Sequence, residues 1–208
     1  MSTSKANKKG LLIVVSGPAG SGKGTVLSRL LADESYRYSV SATTRAPRPG
    51  EVNGVNYHFL TKEEFLRRIA ADEMLEHAEY CGNYYGTPKK EAYAVLESGC
   101  NLLLEIEVAG AAQIKKKYPE AVLIMLLPPS FAVQEARLRG RGTETEEKIR
   151  ERLARTREEM TYVGDYDYVV YNYDNGIDEA VADIRAIVRA EARAFCRNAN
   201  AGQAYFET

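Results

Sequence analysis

Residues 17–25 of this 208-residue chain read Gly-Pro-Ala-Gly-Ser-Gly-Lys-Gly-Thr, a glycine-rich stretch whose composition suits phosphate binding. Glycines let successive backbone N–H groups turn toward an anion, and a lysine can neutralise the outer phosphates of a nucleotide. A glycine-rich turn with a stray lysine is the simpler interpretation. We favour a loop that binds a nucleoside triphosphate, because the stretch follows an apolar strand-like run and opens a helical pattern. The candidate binding residues are Gly17, Pro18, Ala19, Gly20, Ser21, Gly22, Lys23, Gly24 and Thr25.

One position of this loop bears on metal binding. The residue after the lysine is usually Ser or Thr, whose hydroxyl binds Mg²⁺. Here that residue is Gly24, and Thr25 comes next. Two arrangements remain open: either Thr25 binds the metal, or phosphates and water hold most of its coordination sites, as is common for Mg²⁺.

A second group of reactive side chains lies between positions 41 and 57. Arg45 and Arg48 are three residues apart on a segment constrained by prolines, so both guanidinium groups can reach one phosphate. Tyr57 can donate a hydrogen bond to the same oxygens. The alternative is a solvated surface loop with ordinary charges.

Glu76 precedes another turn, residues 82–87, which contains aromatic and hydroxyl side chains. A carboxylate can accept two parallel N–H groups, which is what the N1–H and 2-amino edge of guanine offers and adenine lacks. This spacing indicates a purine-reading site with guanine as its preferred base.

The elements that must position these residues alternate between strand and helix. Apolar runs predict buried strands over residues 11–16, 102–108, 121–127 and 168–171, and helical patterns cover residues 22–32, 109–118, 130–139, 144–161 and 177–195. Thr143 and Glu146 form a candidate capping box at the start of the fourth helix. Such alternation predicts an α/β fold with a parallel sheet between two layers of helices. Residues 39–90 break the pattern and predict an inserted lobe of short strands with one helix over 62–71.

Composition narrows the classes of partner. The chain has 28 Lys and Arg against 29 Asp and Glu, so its net charge of −1 argues against a general nucleic-acid binder. No apolar run approaches the roughly 20 residues that span a bilayer, so we expect no membrane insertion. Three unpaired Cys fit a reducing compartment and predict a cytoplasmic location.

Taken together, these motifs resemble those of the guanylate kinase family. The resemblance extends from about residue 10 to residue 187 and includes the phosphate loop, residues 41–57, Glu76 with residues 82–87, residues 104–107 and residues 141–147. It implies a three-layer P-loop kinase fold with an inserted acceptor lobe and a helical lid. The implied reaction is ATP + GMP ⇌ ADP + GDP, with Mg²⁺ as cofactor.

The resemblance also implies a division of the chain. Residues 1–9 would be a disordered basic tail and residues 10–208 one kinase domain. Within it, residues 10–38, 91–130 and 164–208 would form the core, residues 39–90 the GMP-binding lobe and residues 131–163 the lid.

Residue roles follow from the same resemblance. The GMP site would comprise Ser41, Arg45, Arg48, Glu51, Tyr57, Glu76, Tyr85, Thr87, Glu105 and Glu107, although which of the last two carboxylates reads guanine stays open. The catalytic cations would be Lys23, Arg45, Arg137, Arg141 and Arg152. Asn172 would lie near the adenine of ATP.

Two other functions remain possible from the sequence. A guanylate-kinase-like domain can serve as a non-catalytic protein-interaction module, although such modules typically lack the intact loop that this chain keeps. A kinase of another phosphorylated small molecule, such as a ribosyl phosphate, would not need the guanine-reading set. The sequence leaves the oligomeric state open between monomer and homodimer.

Overall fold

The computed structural model describes residues 9–80, 82–140, 142 and 144–206. In chain order the strands are β1 (Leu12–Ser16), β2 (Tyr36–Tyr38), β3 (Ala42–Thr43), β4 (His58–Phe59), β5 (Met74–Tyr80), β6 (Asn83–Pro88), β7 (Asn101–Glu105), β8 (Val122–Leu127) and β9 (Tyr168–Tyr171). The helices are α1 (Lys23–Leu31), α2 (Lys62–Ala70), α3 (Lys89–Glu97), α4 (Val108–Lys117), α5 (Phe131–Gly140), α6 (Glu146–Glu159), α7 (Ile177–Glu191) and α8 (Ala201–Phe206). Short 3₁₀ turns follow α6 and α7.

Five strands form a parallel sheet in the order β2-β7-β1-β8-β9. The central strand β1 is apolar on both faces because successive side chains of a strand point to opposite sides. Ile13 and Val15 pack against α1 and α7, whereas Leu12 and Val14 pack against α3 and α4. The sheet therefore lies between two helical layers, which confirms the predicted fold class.

A separate four-stranded sheet has the order β4-β3-β6-β5 and is mostly antiparallel. Helix α2 covers it, beginning at the N-cap Thr61, whose hydroxyl accepts a hydrogen bond from the Glu64 amide. Phe65 of α2 is fully buried beside Ala42 and Met74. The sheet opens toward the carboxyl end of β7, so its side chains face the same cleft as the phosphate loop.

Helices α5 and α6 follow β8 and pack together through Leu138, Ile149 and Leu153. The predicted capping box at Thr143 is wrong. The N-cap of α6 is Thr145, whose hydroxyl accepts from the Lys148 amide at 3.4 Å. A start at Glu146 still places two glutamates in the first turn, where the helix dipole favours negative charge. Thr143 itself lies outside the described residues.

Several element ends differ from the sequence prediction. Strand β7 stops at Glu105 rather than at residue 108, because the next carbonyl, that of Ile106, turns to accept the Ser16 hydroxyl at 2.7 Å. Helix α7 ends at Glu191 rather than at residue 195, and Arg197 folds back to pair with Glu191 at 3.0 Å. Strand β2 and helix α3 were not predicted. None of the helices within the described residues is long and apolar enough to cross a bilayer.

Candidate active site

The glycine-rich loop connects β1 to α1, as its sequence predicted. Gly20 and Gly22 have φ angles of 85° and 88°, in the left-handed region that favours glycine. The Lys23 ammonium folds back onto the loop and donates to the carbonyls of Gly17 and Pro18. The Lys23 side chain therefore lies against its own loop. A phosphate that contacts the ammonium would replace these carbonyl partners.

Asn172 supports this loop from the end of β9. Its side-chain amide donates to the Ser21 carbonyl at 2.8 Å, and the residue is 4% exposed. A Cβ on Gly22 would lie 2.3 Å from the side-chain amide nitrogen of Asn172, so this side chain packs directly against the Gly22 backbone. Asn172 also borders a cavity of about 420 Å³ that Gly20 and Gly22 share with Arg137.

Arg137 lies on this side of the loop. Its guanidinium donates to the Asn172 carbonyl and forms an ion pair with Asp174, both at 2.8 Å. It does not line the cavities that contain Lys23. Arg137 must leave Asp174 before it can contact a phosphate next to Lys23. Arg141, the other arginine predicted beside it, lies outside the described residues.

Arg152 of α6 lies on the opposite side of the loop. It lines a cavity of about 130 Å³ together with Gly17 and Lys23, and pairs with Glu144 at 2.8 Å. Two residues of the same helix face, Arg155 and Glu159, line this cavity as well. The sequence analysis missed them, although their spacing of three and seven from Arg152 is the signal that places them on its face.

The two missed residues connect α6 to the turn after β7. Arg155 pairs with Glu107 at 3.2 Å and with Glu159 at 3.3 Å. Burial, followed by the neighbouring Glu107 carboxylate, raises the pKa of Glu159. Lys23 and Arg155 act in the opposite direction. The small cavity is therefore lined by two carboxylates, Glu107 and Glu159, and three cations, Lys23, Arg152 and Arg155.

A larger cavity of about 460 Å³ joins the phosphate loop to the four-stranded sheet. Eight residues predicted from the sequence to bind nucleotide line it: Gly17, Lys23, Ser41, Tyr57, Glu76, Tyr85, Glu105 and Glu107. These residues come from segments that are far apart in the chain. The cavity has the lysine at one end and the buried carboxyl of Glu76 at the other.

Arg45 stands at the rim of this cavity in a fixed orientation. Its guanidinium forms two hydrogen bonds of 2.9 Å with Glu51 and lies 5.5 Å from the centre of the Tyr57 ring. The pKa of Glu51 falls to about 2, because Arg45 and the backbone N–H of Arg48 both donate to the carboxylate. The Arg48 side chain is exposed and forms no hydrogen bond or ion pair with another described residue. Tyr85 contacts both Arg45 and Tyr57.

Glu76 lies at the deepest part of the cavity. It is 4% exposed and accepts a hydrogen bond of 2.9 Å from the Thr87 hydroxyl. Burial raises the pKa of Glu76 to about 7, against the opposing effect of the Thr87 hydrogen bonds. Gly110 of α4 lies against it, because a Cβ there would be 2.9 Å from the second carboxylate oxygen. The sequence analysis did not identify Gly110, whose closeness to Glu76 only the packing of α4 on β5 creates.

The two carboxylates at the end of β7, Glu105 in the strand and Glu107 just after it, occupy different places. Both are exposed and both line the large cavity. Glu107 lines the small cavity as well and pairs with Arg155 of α6, so it lies between the loop and the acceptor side. Of the two cavities, Glu105 lines only the large one. The two carboxylates therefore differ in their position in the site, a difference that the sequence alone does not reveal.

Comparisons with known proteins give a consistent result. A family model described as guanylate kinase matches residues 9–191. The chain is 54% identical over 185 residues to guanylate kinase of Halalkalibacterium halodurans, covering 88% of this chain and 90% of that protein. It is 51% identical over 186 residues to guanylate kinase of Clostridium perfringens strain SM101, covering 89% and 85%. The crystal structure of guanylate kinase from Anaplasma phagocytophilum matches with a TM-score of 0.72 and 37% identity, over 91% of this chain and 90% of that one.

Proposed function

The chain belongs to the guanylate kinase family and is an ATP:GMP phosphotransferase, and we propose that transfer takes place in the cavity that joins Lys23 to Glu76. The observation that carries this proposal is the cavity itself. It contains Lys23 of the phosphate loop and the buried carboxyl of Glu76 in one space of about 460 Å³, which supports a site for both the base and the phosphate of one nucleotide. In this proposal GMP lies along the cavity, with its base at one end and its phosphate at the other.

GMP binds with its base against Glu76 in this proposal. The ionised carboxylate accepts from guanine N1–H and the 2-amino group, while Thr87, Ser41 and Glu105 complete the polar surroundings of the base. Glu105 is assigned to the base because, of the two cavities beside Lys23, it lines only the larger one. Glu107, beside the phosphate loop, faces the reacting phosphates instead.

The GMP phosphate lies between the arginines and tyrosines at the rim. Arg45 is already oriented by Glu51, so little side-chain entropy is lost when it binds the phosphate. Arg48 is exposed and swings in from solvent. Tyr57 and Tyr85 donate from the cavity wall.

ATP binds along residues 17–25, with its triphosphate over the loop. The adenine lies on the side of Asn172, where the cavity next to Gly20 and Gly22 is open. Lys23 exchanges its loop carbonyls for phosphate oxygens, and Arg152 approaches from α6. Arg137 exchanges Asp174 for a phosphate, and we assign Arg141 the same role.

Mg²⁺ fits the donors that the site offers. Those near Lys23 are oxygens from the carboxylates of Glu107 and Glu159, and Thr25 adds a hydroxyl on the first turn of α1, which suits a hard cation. No group of three or more His, Cys, Asp or Glu side chains that could hold a metal is present within the described residues, so phosphates and water would supply most of the coordination. When bound, Mg²⁺ neutralises charge on the phosphates of ATP.

The reaction needs charge neutralisation more than a general base. A phosphate monoester has a second pKa of about 6, so the attacking oxygen of GMP is already ionised at neutral pH. The site's own cations lower the repulsion between two anions and hold them in line. Closure of residues 39–90 and 131–163 over the core then excludes water, which would otherwise hydrolyse ATP. We assign residues 1–9 to a basic tail and residues 10–208 to the kinase domain; the cytoplasmic location stays a prediction.

A coupled assay of ADP release tests the acceptor directly. With ATP and Mg²⁺ present, GMP should support turnover at least a hundredfold better than AMP, CMP or UMP. Equal rates with GMP and AMP would overturn the guanine-reading assignment. Absence of turnover with all four would favour the non-catalytic module, and turnover only with a ribosyl phosphate would favour the other small-molecule kinase.

A further inference from the structure

A buried glutamine connects the phosphate loop to α6. Gln134 of α5 donates through its side-chain nitrogen to the Ala19 carbonyl at 2.9 Å and to the Thr156 hydroxyl at 2.7 Å. Gln134 is 1% exposed and Thr156 is 3% exposed. An amide nitrogen has two hydrogens, and each has an acceptor here. Satisfied polar groups in such a dry environment have well-defined positions, because an unmade bond there is costly.

The connection continues toward the cations of the active site. Thr156 donates its own hydrogen to the Arg152 carbonyl at 2.9 Å, one turn earlier in α6. Arg152 lines the small cavity with Lys23. A single chain of hydrogen bonds therefore links the loop, at Ala19, to the backbone that carries a lid arginine.

The loop side of this connection controls the direction of a peptide group. The bond between Ala19 and Gly20 is planar and trans, as no cis peptide is present in the described chain. When the Ala19 carbonyl points toward Gln134, the Gly20 N–H must point away from it. A phosphate cradle requires N–H groups directed inward and carbonyls directed outward. A Cβ on Gly20 would also lie 3.5 Å from the Gln134 side chain, so the glutamine packs directly against the loop.

We propose that Gln134 is a positioning residue for ATP: it holds the Ala19–Gly20 peptide of the phosphate loop in the orientation that binds phosphate and ties that loop to helix α6. The proposal concerns the donor side alone. It rests on ATP binding at the loop, which turnover of the unaltered enzyme tests separately.

Replacing Gln134 by Leu tests the proposal. Gln134→Leu introduces an apolar side chain of similar size and leaves the Ala19 carbonyl without its donor. The KM for ATP and the Kd for ADP by titration calorimetry should both rise about tenfold, because binding must then also restore the peptide orientation that the hydrogen bond held, at about the cost of one buried hydrogen bond. The KM for GMP should stay within twofold. An unchanged Kd for ADP in a folded variant would overturn the proposal.

Gln113 of α4 provides a matched control on the acceptor side. Its side chain forms two hydrogen bonds with the backbone of His77 in β5, so Gln113→Leu removes the same kind of contact from the other half of the molecule. It should lower the melting temperature by an amount similar to Gln134→Leu while the Kd for ADP stays unchanged. If both variants weaken ADP binding equally, Gln134 acts through general stability and the proposal fails.

Thr156→Val removes the second acceptor of the Gln134 amide while conserving the shape of the side chain. This variant provides an alternative test if Gln134→Leu does not fold. The Kd for ADP should rise severalfold. In the double variant the two effects should be less than additive, because both residues belong to one network. Full additivity would show that the loop and α6 are held independently and would contradict the proposed tie.

Discussion

In the proposed site, guanine requires the carboxyl group of Glu76 in its charged form, whereas the burial of that group disfavours the charge. Its pKa of about 7 therefore lies inside the working range of the enzyme. As the pH falls below 7, protonation removes one acceptor, and the KM for GMP should rise by up to tenfold per pH unit. Measuring kcat/KM for GMP from pH 5.5 to 8.5 tests this. The residual dependence near pH 6 belongs to the GMP phosphate and should remain in Glu76→Gln.

The variant Glu76→Gln should separate function from stability. Its kcat/KM for GMP should fall more than tenfold at pH 8, because an amide presents one donor where guanine needs two acceptors. The folded pKa of Glu76 is raised above the unfolded value of about 4.5, so its contribution to stability is full below pH 4.5 and is lost as the pH rises through 7.

Removing this titration should raise the free energy of unfolding at pH 8 by up to about 3 kcal/mol. Urea denaturation at pH 8 and pH 5 checks the sign, since the gain should shrink at the lower pH. A less stable variant at pH 8 would contradict the burial effect.

Lys23 is the residue for which the loop geometry makes the sharpest kinetic prediction. In the structure its ammonium donates to the carbonyls of Gly17 and Pro18, so its loss should leave the acceptor side intact. Lys23→Ala should reduce kcat by about a hundredfold to a thousandfold, the usual effect of one charge-stabilising donor. The Kd for GMP, measured by calorimetry, should change by less than threefold. Turnover close to that of the unaltered enzyme would exclude this loop as the phosphate site.

The site residues that could be predicted from the sequence are those that belong to short, characteristic local motifs. The phosphate loop, Arg45 with Glu51, and Glu76 each have neighbours in the chain that reveal them. Gly110 and Gln134 do not, because their roles come from contacts with segments 34 and 115 residues away. The assignment of Glu105 to the base, which we propose, likewise rests on the contact between Glu107 and Arg155 of α6.

At the scale of elements, helix α6 begins at Glu146, whereas the sequence predicted a start at residue 144. Two threonines precede it, and either can act as N-cap. Thr145 does so in the structure. Apolar runs located β1 and β8 well, whereas β2, with three residues, and α3 are too short or too weakly patterned to stand out. Periodicity thus recovers long buried elements and leaves caps and edge strands to tertiary packing.

The cap can be tested with a matched pair of variants. Thr145→Ala should cost about 1 kcal/mol of stability, seen as a lower melting temperature, because the Lys148 amide loses its acceptor. Thr143→Ala, at the position that the sequence favoured, should leave the melting temperature within 1 °C of the unaltered protein, roughly the limit for a neutral surface change. The opposite ranking would restore the original capping box.

At the scale of the whole molecule, the proposed lobe and lid must approach each other for transfer. Cations that would bind phosphate are paired with acids of the protein itself: Arg45 with Glu51, Arg137 with Asp174, and Arg152 with Glu144. A substrate must replace some of these partners, which makes closure depend on ligand. The balanced net charge of −1 reflects such pairing and does not argue against a small polyanionic substrate.

Small-angle X-ray scattering can measure this closure. GMP together with a non-hydrolysable ATP analogue should reduce the radius of gyration below that of the empty enzyme, and GMP alone should reduce it less. A radius that is the same with and without both ligands would count against movement of residues 39–90 and 131–163.

The closeness of Gly22 to Asn172 also has an evolutionary consequence. The two positions are 150 residues apart in sequence, yet an added Cβ on the first would fall within 2.3 Å of the amide of the second. A larger residue at position 22 would need a smaller residue at position 172 in addition to a strained left-handed backbone, and the Ser21 carbonyl would then lose its donor. We therefore expect the two sites to be inherited as a pair, so that recombination joining the first half of one homologue to the second half of another succeeds only when both halves keep this match.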